Sequence, residues 1–385
     1  MNETATRLGE VVDATEPVVA GTPIRLPVFR RVPELMPCWT ADTVHGETLM
    51  AVERQDGRRE ARLLLAPSEI VRVETATGVT VFREGRDYTC EGNLLHLPPG
   101  SRIPCVTMDA LTPPADQEGL PSFIRLRGRP DRGLLFSETG VFHKQQICVT
   151  YRHTNTDVAW FTPRGGDLPR TRIRLANGDP LVLGVSGDSI ALGANASKCM
   201  RLAPYHPPFA EWVTAALASR SRGTVSLVNR AVGGWTSAQG LEAAGELAAL
   251  KPDLVIIAYG MNDNVQLEAD EFQANVRGIV DRIRGRNPDA EFVLVSGMCG
   301  NPDWELIRPD RFLPFRDALL DLREPGIVCA DITSIWIELM QRKRFIDLTG
   351  NGVNHPNDFV HRLYAHVILD VLLQSHRARA GGEGN

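Results

Sequence analysis

The chain has 385 residues and a formal net charge of −5. Its hydrophobic fraction of 43% and charged fraction of 23% are those of an ordinary globular protein, and its length favours two domains over one. No apolar run is long enough to span a bilayer, so we expect no membrane partner. The slightly acidic balance also argues against binding to nucleic acid.

The amino terminus and the cysteines bear on location and metal binding. Residues 1–21 lack the basic start and the apolar stretch of a secretory signal, so we predict a cytoplasmic protein if Met1 is the natural start. The seven cysteines are odd in number, widely spaced and without a Cys-x-x-Cys pair. This pattern argues against a disulfide framework and against a zinc site.

The first part of the chain predicts a loose arm followed by an all-β domain. Residues 1–25 are polar and unpatterned, which indicates a flexible arm. Short extended runs then alternate with Gly and Pro turns, as is typical of an antiparallel sandwich. The predicted strands are residues 69–74, 79–82, 88–90, 94–97 and 146–151. A Pro-, Gly- and Arg-rich stretch at 163–172 indicates a boundary, so we predict a sandwich-like accessory domain over residues 26–170.

Strand and helix patterns alternate in the rest of the chain, which we predict to be one domain over residues 175–380. Apolar runs predict strands at residues 181–185, 224–228, 254–258, 292–295 and 327–330. Helical patterns follow at residues 209–220, 237–250, 269–284, 311–322 and 358–374. This alternation predicts an α/β fold with a parallel sheet covered by helices.

Polar and glycine-rich loops follow several of these strands. Ser189 stands just after the first strand, and residues 229–237 and 259–263 follow the second and third. Residues 350–358 precede the last helix. Loops after parallel strands share one edge of a sheet, so we expect them to lie near Ser189.

These loops contain the groups that acyl transfer requires. A serine hydroxyl becomes a nucleophile when a base such as a neutral histidine accepts its proton. The attacked carbonyl becomes an oxyanion, which needs donors held in place. The backbone N–H groups of Ser189 and Gly234 can supply two, and the Asn262 amide a third. Glycine suits this role at position 234, because a side chain there would crowd the oxyanion and because glycine tolerates unusual backbone angles.

The same residues resemble the four sequence blocks of the SGNH (GDSL-type) hydrolase family, in the family's order. The blocks are Gly187-Asp188-Ser189-Ile190, the run from Asn229 containing Gly234, Gly260-x-Asn262-Asp263, and His355-Pro356-Asn357. The resemblance implies a three-layer α/β/α, flavodoxin-like domain with no metal or organic cofactor. It implies that Ser189 is the nucleophile and His355 the general base. It also implies that Ser189, Gly234 and Asn262 form the oxyanion hole.

One position departs from the family pattern. The family usually has an aspartate three residues before the histidine, and that position here is Gly352. The run from Asn351 to His355 looks like the family's Asp-Gly-x-His with one residue inserted and the acid changed to an amide. A neutral acceptor can fix the imidazole tautomer but stabilises the protonated ring less. The candidates for orienting His355 are Asp347, Asp358, the amide oxygens of Asn351 and Asn354, and a backbone carbonyl.

The sequence therefore predicts a serine esterase that acts through an acyl-serine intermediate. The β-rich domain before the hydrolase domain resembles the layout of bacterial carbohydrate deacetylases, which makes an O-acetyl group on a carbohydrate the first substrate hypothesis. Another short ester is an alternative, as is a lipase or thioesterase of the same family. The missing acid before His355 supports a further alternative, a catalytically weak or inactive binding protein. The sequence leaves the oligomeric state open.

Overall fold

The computed structural model describes residues 41–154 and 167–373. The predicted flexible arm, residues 1–25, lies outside these ranges. Strands dominate the first range, and strands alternate with helices in the second. We call residues 41–154 the β-rich region and residues 167–373 the α/β region.

The β-rich region contains ten strands and two short helices. The strands are β1 (Thr43–Glu53), β2 (Arg59–Arg62), β3 (Glu69–Thr75), β4 (Val81–Phe82), β5 (Thr89–Glu91), β6 (Leu94–His96), β7 (Cys105–Thr107), β8 (Arg125–Leu126), β9 (Arg129–Gly133) and β10 (Gln146–Arg152). The helices are α1 (Met108–Leu111) and α2 (Val141–Gln145).

These strands form a curled, mostly antiparallel sheet in the order β4-β3-β10-β1-β2-β6-β5. The long strand β1 joins its halves, because residues 43–50 pair with β10 whereas Val52 and Glu53 pair with β2. Strand β7 pairs with β1 in parallel, and β8 and β9 form a separate hairpin. The prediction of an all-β, sandwich-like domain at this end of the chain is confirmed.

The α/β region is built on a five-stranded parallel sheet in the order β12-β11-β13-β14-β15. Its strands are β11 (Leu181–Gly187), β12 (Val225–Asn229), β13 (Leu254–Ala258), β14 (Glu291–Ser296) and β15 (Ile327–Asp331). Its helices are α3 (Pro169–Asn177), α4 (Ser189–Leu192), α5 (Phe209–Ala218), α6 (Ser237–Ala249), α7 (Asp263–Gln266), α8 (Ala269–Arg284), α9 (Phe312–Asp321), α10 (Ile332–Met340), α11 (Phe345–Leu348) and α12 (Asp358–Leu373).

Both faces of this sheet are covered, as the apolar strands predict. Along β13, Leu254 and Ile256 face one hydrophobic core while Val255 and Ile257 face the other. Helices α5 and α12 supply apolar side chains to the first core, and α6, α8 and α9 supply them to the second. The predicted three-layer α/β/α architecture is therefore confirmed. Because all five strands are parallel, their carboxyl ends meet at one edge of the sheet.

The two regions share a hydrophobic core and buried polar contacts. Core residues of the β-rich region, such as Leu49, belong to the same apolar cluster as residues of β11 and α12. Lys343 forms an ion pair with Glu47 of β1, and both side chains are 0% exposed. Asp347 Oδ1 accepts the backbone N–H of Met50 at 2.8 Å. The β-rich region is thus packed directly on the α/β region.

The domain limits stay a prediction, because the predicted boundary overlaps residues 155–166, which lie outside the described ranges. Within those ranges, no helix has the length and apolar character needed to cross a membrane.

Candidate active site

Ser189 lies where β11 ends and α4 begins. The Asp188 side chain caps this turn by accepting the backbone N–H of Ile190 at 2.9 Å. Ser189 is the first residue of α4, so its own N–H has no acceptor within the helix. Burial raises the pKa of Asp188 to about 7, despite the hydrogen bond from Ile190. The hydroxyl of Ser189 and an unpaired backbone donor therefore occupy the same strand end.

The imidazole ring of His355 lies next to the Ser189 side chain. Its Nε2 lies 2.9 Å from Ser189 Oγ, which is hydrogen-bonding distance. The loop that carries it is held internally, since the Asn351 side-chain oxygen accepts the His355 backbone N–H at 3.0 Å. The hydroxyl of Thr349 also donates to the His355 carbonyl at 3.0 Å. Residues that are 166 positions apart in the chain thus meet as a serine–histidine pair.

The two other predicted oxyanion donors stand on neighbouring loops. Gly234 has a φ of +81°, a left-handed conformation that favours glycine. A Cβ built there meets no protein atom within 4 Å, so the backbone angle, and not crowding by other residues, accounts for this glycine. Asn262 Nδ2 donates to the carbonyl of Trp235 at 2.9 Å, which uses one of its two amide hydrogens. Its second amide hydrogen has no described acceptor.

Asp263 fixes the spacing of these two loops. One carboxylate oxygen accepts the Ser237 backbone N–H at 2.8 Å, and the other accepts that of Gly260 at 3.1 Å. The side chain is fully buried, and burial raises its pKa against the lowering effect of the Ser237 hydrogen bonds. Asp263 thus joins the start of α6, just after the loop containing Gly234, to the loop containing Asn262.

The Nδ1 atom of His355 has two partners that are not among the candidates named from the sequence. Asn195 Oδ1 lies 2.8 Å from it, and Glu138 Oε2 lies 3.2 Å from it. Asn195 follows α4 and has a φ of +60°. Glu138 belongs to the β-rich region, just before α2.

The candidates considered for this role have other partners in the structure. Asp347 accepts the N–H of Met50. Asp358 accepts the N–H of Ser197 at 2.8 Å. Neither aspartate forms a described contact with the His355 ring. The two asparagines bond to each other, because Asn351 Nδ2 donates to Asn354 Oδ1 at 2.9 Å.

Charge and hydrogen bonding both act on Glu138. Burial alone would raise its pKa, but hydrogen bonds from His355, Asn351 and Asn195 hold the pKa below the usual glutamate value. The side chain is 45% exposed, whereas that of His355 is 12% exposed. Glu138 is therefore a partly exposed carboxylate at neutral pH that lies beside the histidine ring.

No sequence motif points to Glu138. It lies in the β-rich region, far along the chain from the four sequence blocks that resemble the family. Asn195 could have been suspected from its place six residues after Ser189, where polar residues follow a short helix. Within residues 41–154 and 167–373, no group of three or more His, Cys, Asp or Glu side chains is arranged to hold a metal ion.

Comparison with known proteins gives a family for the α/β region. Residues 185–363 match the model of the GDSL-like Lipase/Acylhydrolase family. This segment contains Ser189, Gly234, Asn262 and His355. A search of curated proteins finds no match.

Several solved structures are similar to this chain. One is a two-domain esterase active on acetylated mannans, with 23% identity and a TM-score of 0.42; the match covers 54% of this chain and 54% of that one. A second is TesA, with 22% identity, a TM-score of 0.39, and coverage of 50% of this chain and 98% of TesA. A third is a carbohydrate esterase family 3 protein from Talaromyces cellulolyticus, with 17% identity, a TM-score of 0.38, and coverage of 50% and 97%.

Proposed function

Residues 185–363 of this chain belong to the GDSL-like lipase/acylhydrolase family, and from this premise we propose that the protein is a serine esterase with Ser189 as nucleophile and His355 as general base. The observation that carries the proposal is the 2.9 Å contact between Ser189 Oγ and His355 Nε2. A base at this distance can accept the hydroxyl proton as the oxygen attacks a carbonyl.

In the acylation step, Ser189 Oγ forms a bond to the ester carbonyl carbon while His355 Nε2 takes the hydroxyl proton. The carbonyl oxygen becomes an oxyanion, which the Ser189 and Gly234 N–H groups and the free Asn262 amide hydrogen would stabilise. Collapse of this intermediate breaks the bond to the alcohol oxygen, which leaves with the proton from His355. The product is an acyl-serine and a free alcohol.

In the deacylation step, water takes the place of the alcohol. His355 accepts a proton from water as the water oxygen attacks the acyl carbon, and the same donors hold the second oxyanion. The bond to Ser189 Oγ then breaks, and His355 returns the proton to that oxygen. The carboxylic acid leaves, and the serine–histidine pair is restored with no cofactor consumed.

Covalent labelling tests this proposal directly. Ser189 Oγ of the wild type should displace fluoride from a fluorophosphonate, which adds a phosphonyl group that peptide mass spectrometry locates on Ser189. The labelled fraction should rise in step with the loss of p-nitrophenyl acetate hydrolysis, and Ser189→Ala should not be labelled. A labelled protein in which the adduct lies on another residue would remove Ser189 as nucleophile.

The Asn262 side chain gives a second prediction, on the oxyanion hole. Asn262→Ala should lower kcat by about 10²- to 10³-fold, because one preorganised donor to the oxyanion is lost. The KM should change little, since the donor acts mainly in the transition state. Asn275→Ala is the matched control, because Asn275 Nδ2 donates to Ser237 Oγ at 3.1 Å, two residues after the Trp235 carbonyl that Asn262 contacts. Equal effects of the two substitutions would mean that Asn262 only supports the loop.

For the substrate, we propose a short acyl ester and, as the first candidate, an O-acetyl group on a carbohydrate. The arrangement of a β-rich region before the hydrolase region supports this choice by architectural analogy. A panel of acetylated sugars and of p-nitrophenyl esters of graded acyl length checks it. A kcat/KM that rises with chain length would favour a lipase, and preferential cleavage of acyl thioesters would favour a thioesterase.

The alternative of an inactive binding protein depended on the absence of an acid before His355. Two oxygen-bearing side chains, Asn195 and Glu138, lie at its Nδ1 instead. The missing acid before His355 therefore no longer supports the alternative of an inactive binding protein.

A further inference from the structure

We propose that Glu138 of the β-rich region is the positioning residue that completes the charge arrangement at His355, so that the active site depends on both regions of the fold. This inference depends on the proposed esterase function. It adds to that function a group from outside residues 185–363, the segment that matches the family.

The contacts at the carboxylate support this role. Both oxygens of Glu138 lie 3.2 Å from His355 Nδ1, and Oε1 also accepts a hydrogen bond from Asn351 Nδ2 at 2.8 Å. Asn351 in turn holds the His355 backbone through its side-chain oxygen. The carboxylate, the amide and the histidine therefore form one connected network.

An amide at position 351 fits a carboxylate at position 138. By the resemblance of the run from Asn351 to His355 to the family motif, Asn351 stands where the family's aspartate is expected, shifted by one inserted residue. An aspartate there would put a second negative charge beside Glu138 and would have no hydrogen to donate to it. In this chain the carboxylate thus comes from another segment, and the Asn351 amide donates to it.

The segment that carries Glu138 is anchored next to the histidine loop. The Ser137 N–H donates to the Asn351 carbonyl at 3.2 Å. Gly352 has a φ of +96°, and a Cβ built there would lie 2.1 Å from the Leu135 carbonyl oxygen. The chain can approach this closely only because residue 352 is glycine. Glu138 is therefore held by backbone contacts as well as by its own side chain.

Asn195 and Glu138 make different contributions at Nδ1. The Asn195 amide oxygen lies closer, at 2.8 Å, and can fix the ring tautomer by accepting the Nδ1 proton. It is neutral, so it stabilises the protonated imidazole less than a carboxylate does. Glu138 supplies the negative charge. Since its side chain is 45% exposed, solvent screens this charge, and its effect should be smaller than that of a buried triad aspartate.

Glu138→Gln tests the inference, because it removes the charge and keeps the size of the side chain. We expect kcat for p-nitrophenyl acetate to fall by about 10- to 100-fold with little change in KM, a smaller loss than for a buried triad acid. Glu118→Gln is the matched control, because Glu118 is an exposed acid of the same region. The activity of this variant should equal that of the wild type.

The pH profile separates a charge effect from a structural one. The carboxylate favours the protonated imidazole, so its removal should move the acidic limb of kcat/KM to lower pH. Asp188 and His361 also interact electrostatically with His355, but neither changes in this variant. A lower kcat with an unmoved acidic limb would show that Glu138 only supports the fold.

A second variant tests the exchange of acid and amide. Asn351→Asp should lower activity in the wild-type background, because two carboxylates would then stand side by side. In the Glu138→Gln background, Asn351→Asp should lower activity much less, because the introduced glutamine amide can donate a hydrogen bond to the introduced aspartate. Equal losses in the two backgrounds would contradict a functional contact between these residues.

The outcomes also separate this inference from the proposed function. If Glu138→Gln retains both wild-type kcat and the wild-type pH profile while Ser189→Ala is inactive, the esterase proposal stands and the role of Glu138 is wrong. If Ser189→Ala retains wild-type turnover, the esterase proposal itself fails.

Discussion

Replacing Ser189 with alanine is expected to lower kcat for p-nitrophenyl acetate by about 10⁴- to 10⁶-fold, to the residual rate that bound substrate and oxyanion donors alone provide. The substitution removes the oxygen that would form the acyl intermediate. His355→Ala should cause a loss of similar size, because it removes the base 2.9 Å from that oxygen. Steady-state kinetics on purified variants measure both losses.

The double variant makes this prediction sharper. Groups that act as one unit are strongly non-additive, so Ser189→Ala with His355→Ala should be about as active as either single variant. Additive losses would mean that the two residues act in separate steps. His366→Ala is a suitable control, since His366 is a partly buried residue of α12 and is not one of the residues proposed for the site. Its activity should remain close to that of the wild type.

Replacing Lys343 with methionine is expected to lower the free energy of unfolding by about 3–5 kcal/mol, the cost of removing one partner of a buried ion pair. Lys343 and Glu47 are both 0% exposed. Glu47 also accepts hydrogen bonds from the Tyr151 hydroxyl at 2.6 Å and from the Leu64 N–H at 2.8 Å. The variant would leave a buried carboxylate with these neutral donors only. Chemical denaturation monitored by tryptophan fluorescence measures the change.

Two further variants define the cause of this loss. Lys144→Met removes an exposed lysine of the β-rich region and should change stability by less than about 0.5 kcal/mol. Adding Glu47→Gln to Lys343→Met removes the unpaired charge and keeps an acceptor for Tyr151 or Leu64, so most of the lost stability should return. No recovery in the double variant would assign the loss to packing and not to charge.

The ion pair and the proposed role of Glu138 are connected through the fold. Glu47 lies on β1, and Glu138 precedes α2 in the same region. Contacts that hold the β-rich region in place therefore also hold the carboxylate at His355. The role proposed for Glu138 would give the β-rich region a function that does not require it to bind substrate by itself.

The α/β architecture follows from local patterns in the sequence. The strand at residues 254–258 was predicted with the bounds that the structure has, because all of its residues are apolar and both faces of the sheet are covered. The helix Ala269–Arg284 also has its predicted bounds, since its buried residues recur at helical spacing. By contrast, β1 was not predicted, because Glu47 and Thr48 interrupt its apolar run. Both are buried, and their partners lie in other parts of the chain.

The sequence by itself determined the fold class, the family resemblance and the four residues proposed for the chemistry, because each depends on neighbours in the chain or on strand ends that a parallel sheet brings together. Only the tertiary structure decided which side chains lie at Nδ1 of His355. Glu138 is 217 residues from His355, and their contact depends on how the β-rich region packs against the histidine loop. No local pattern can report a contact formed by the docking of two separate chain segments.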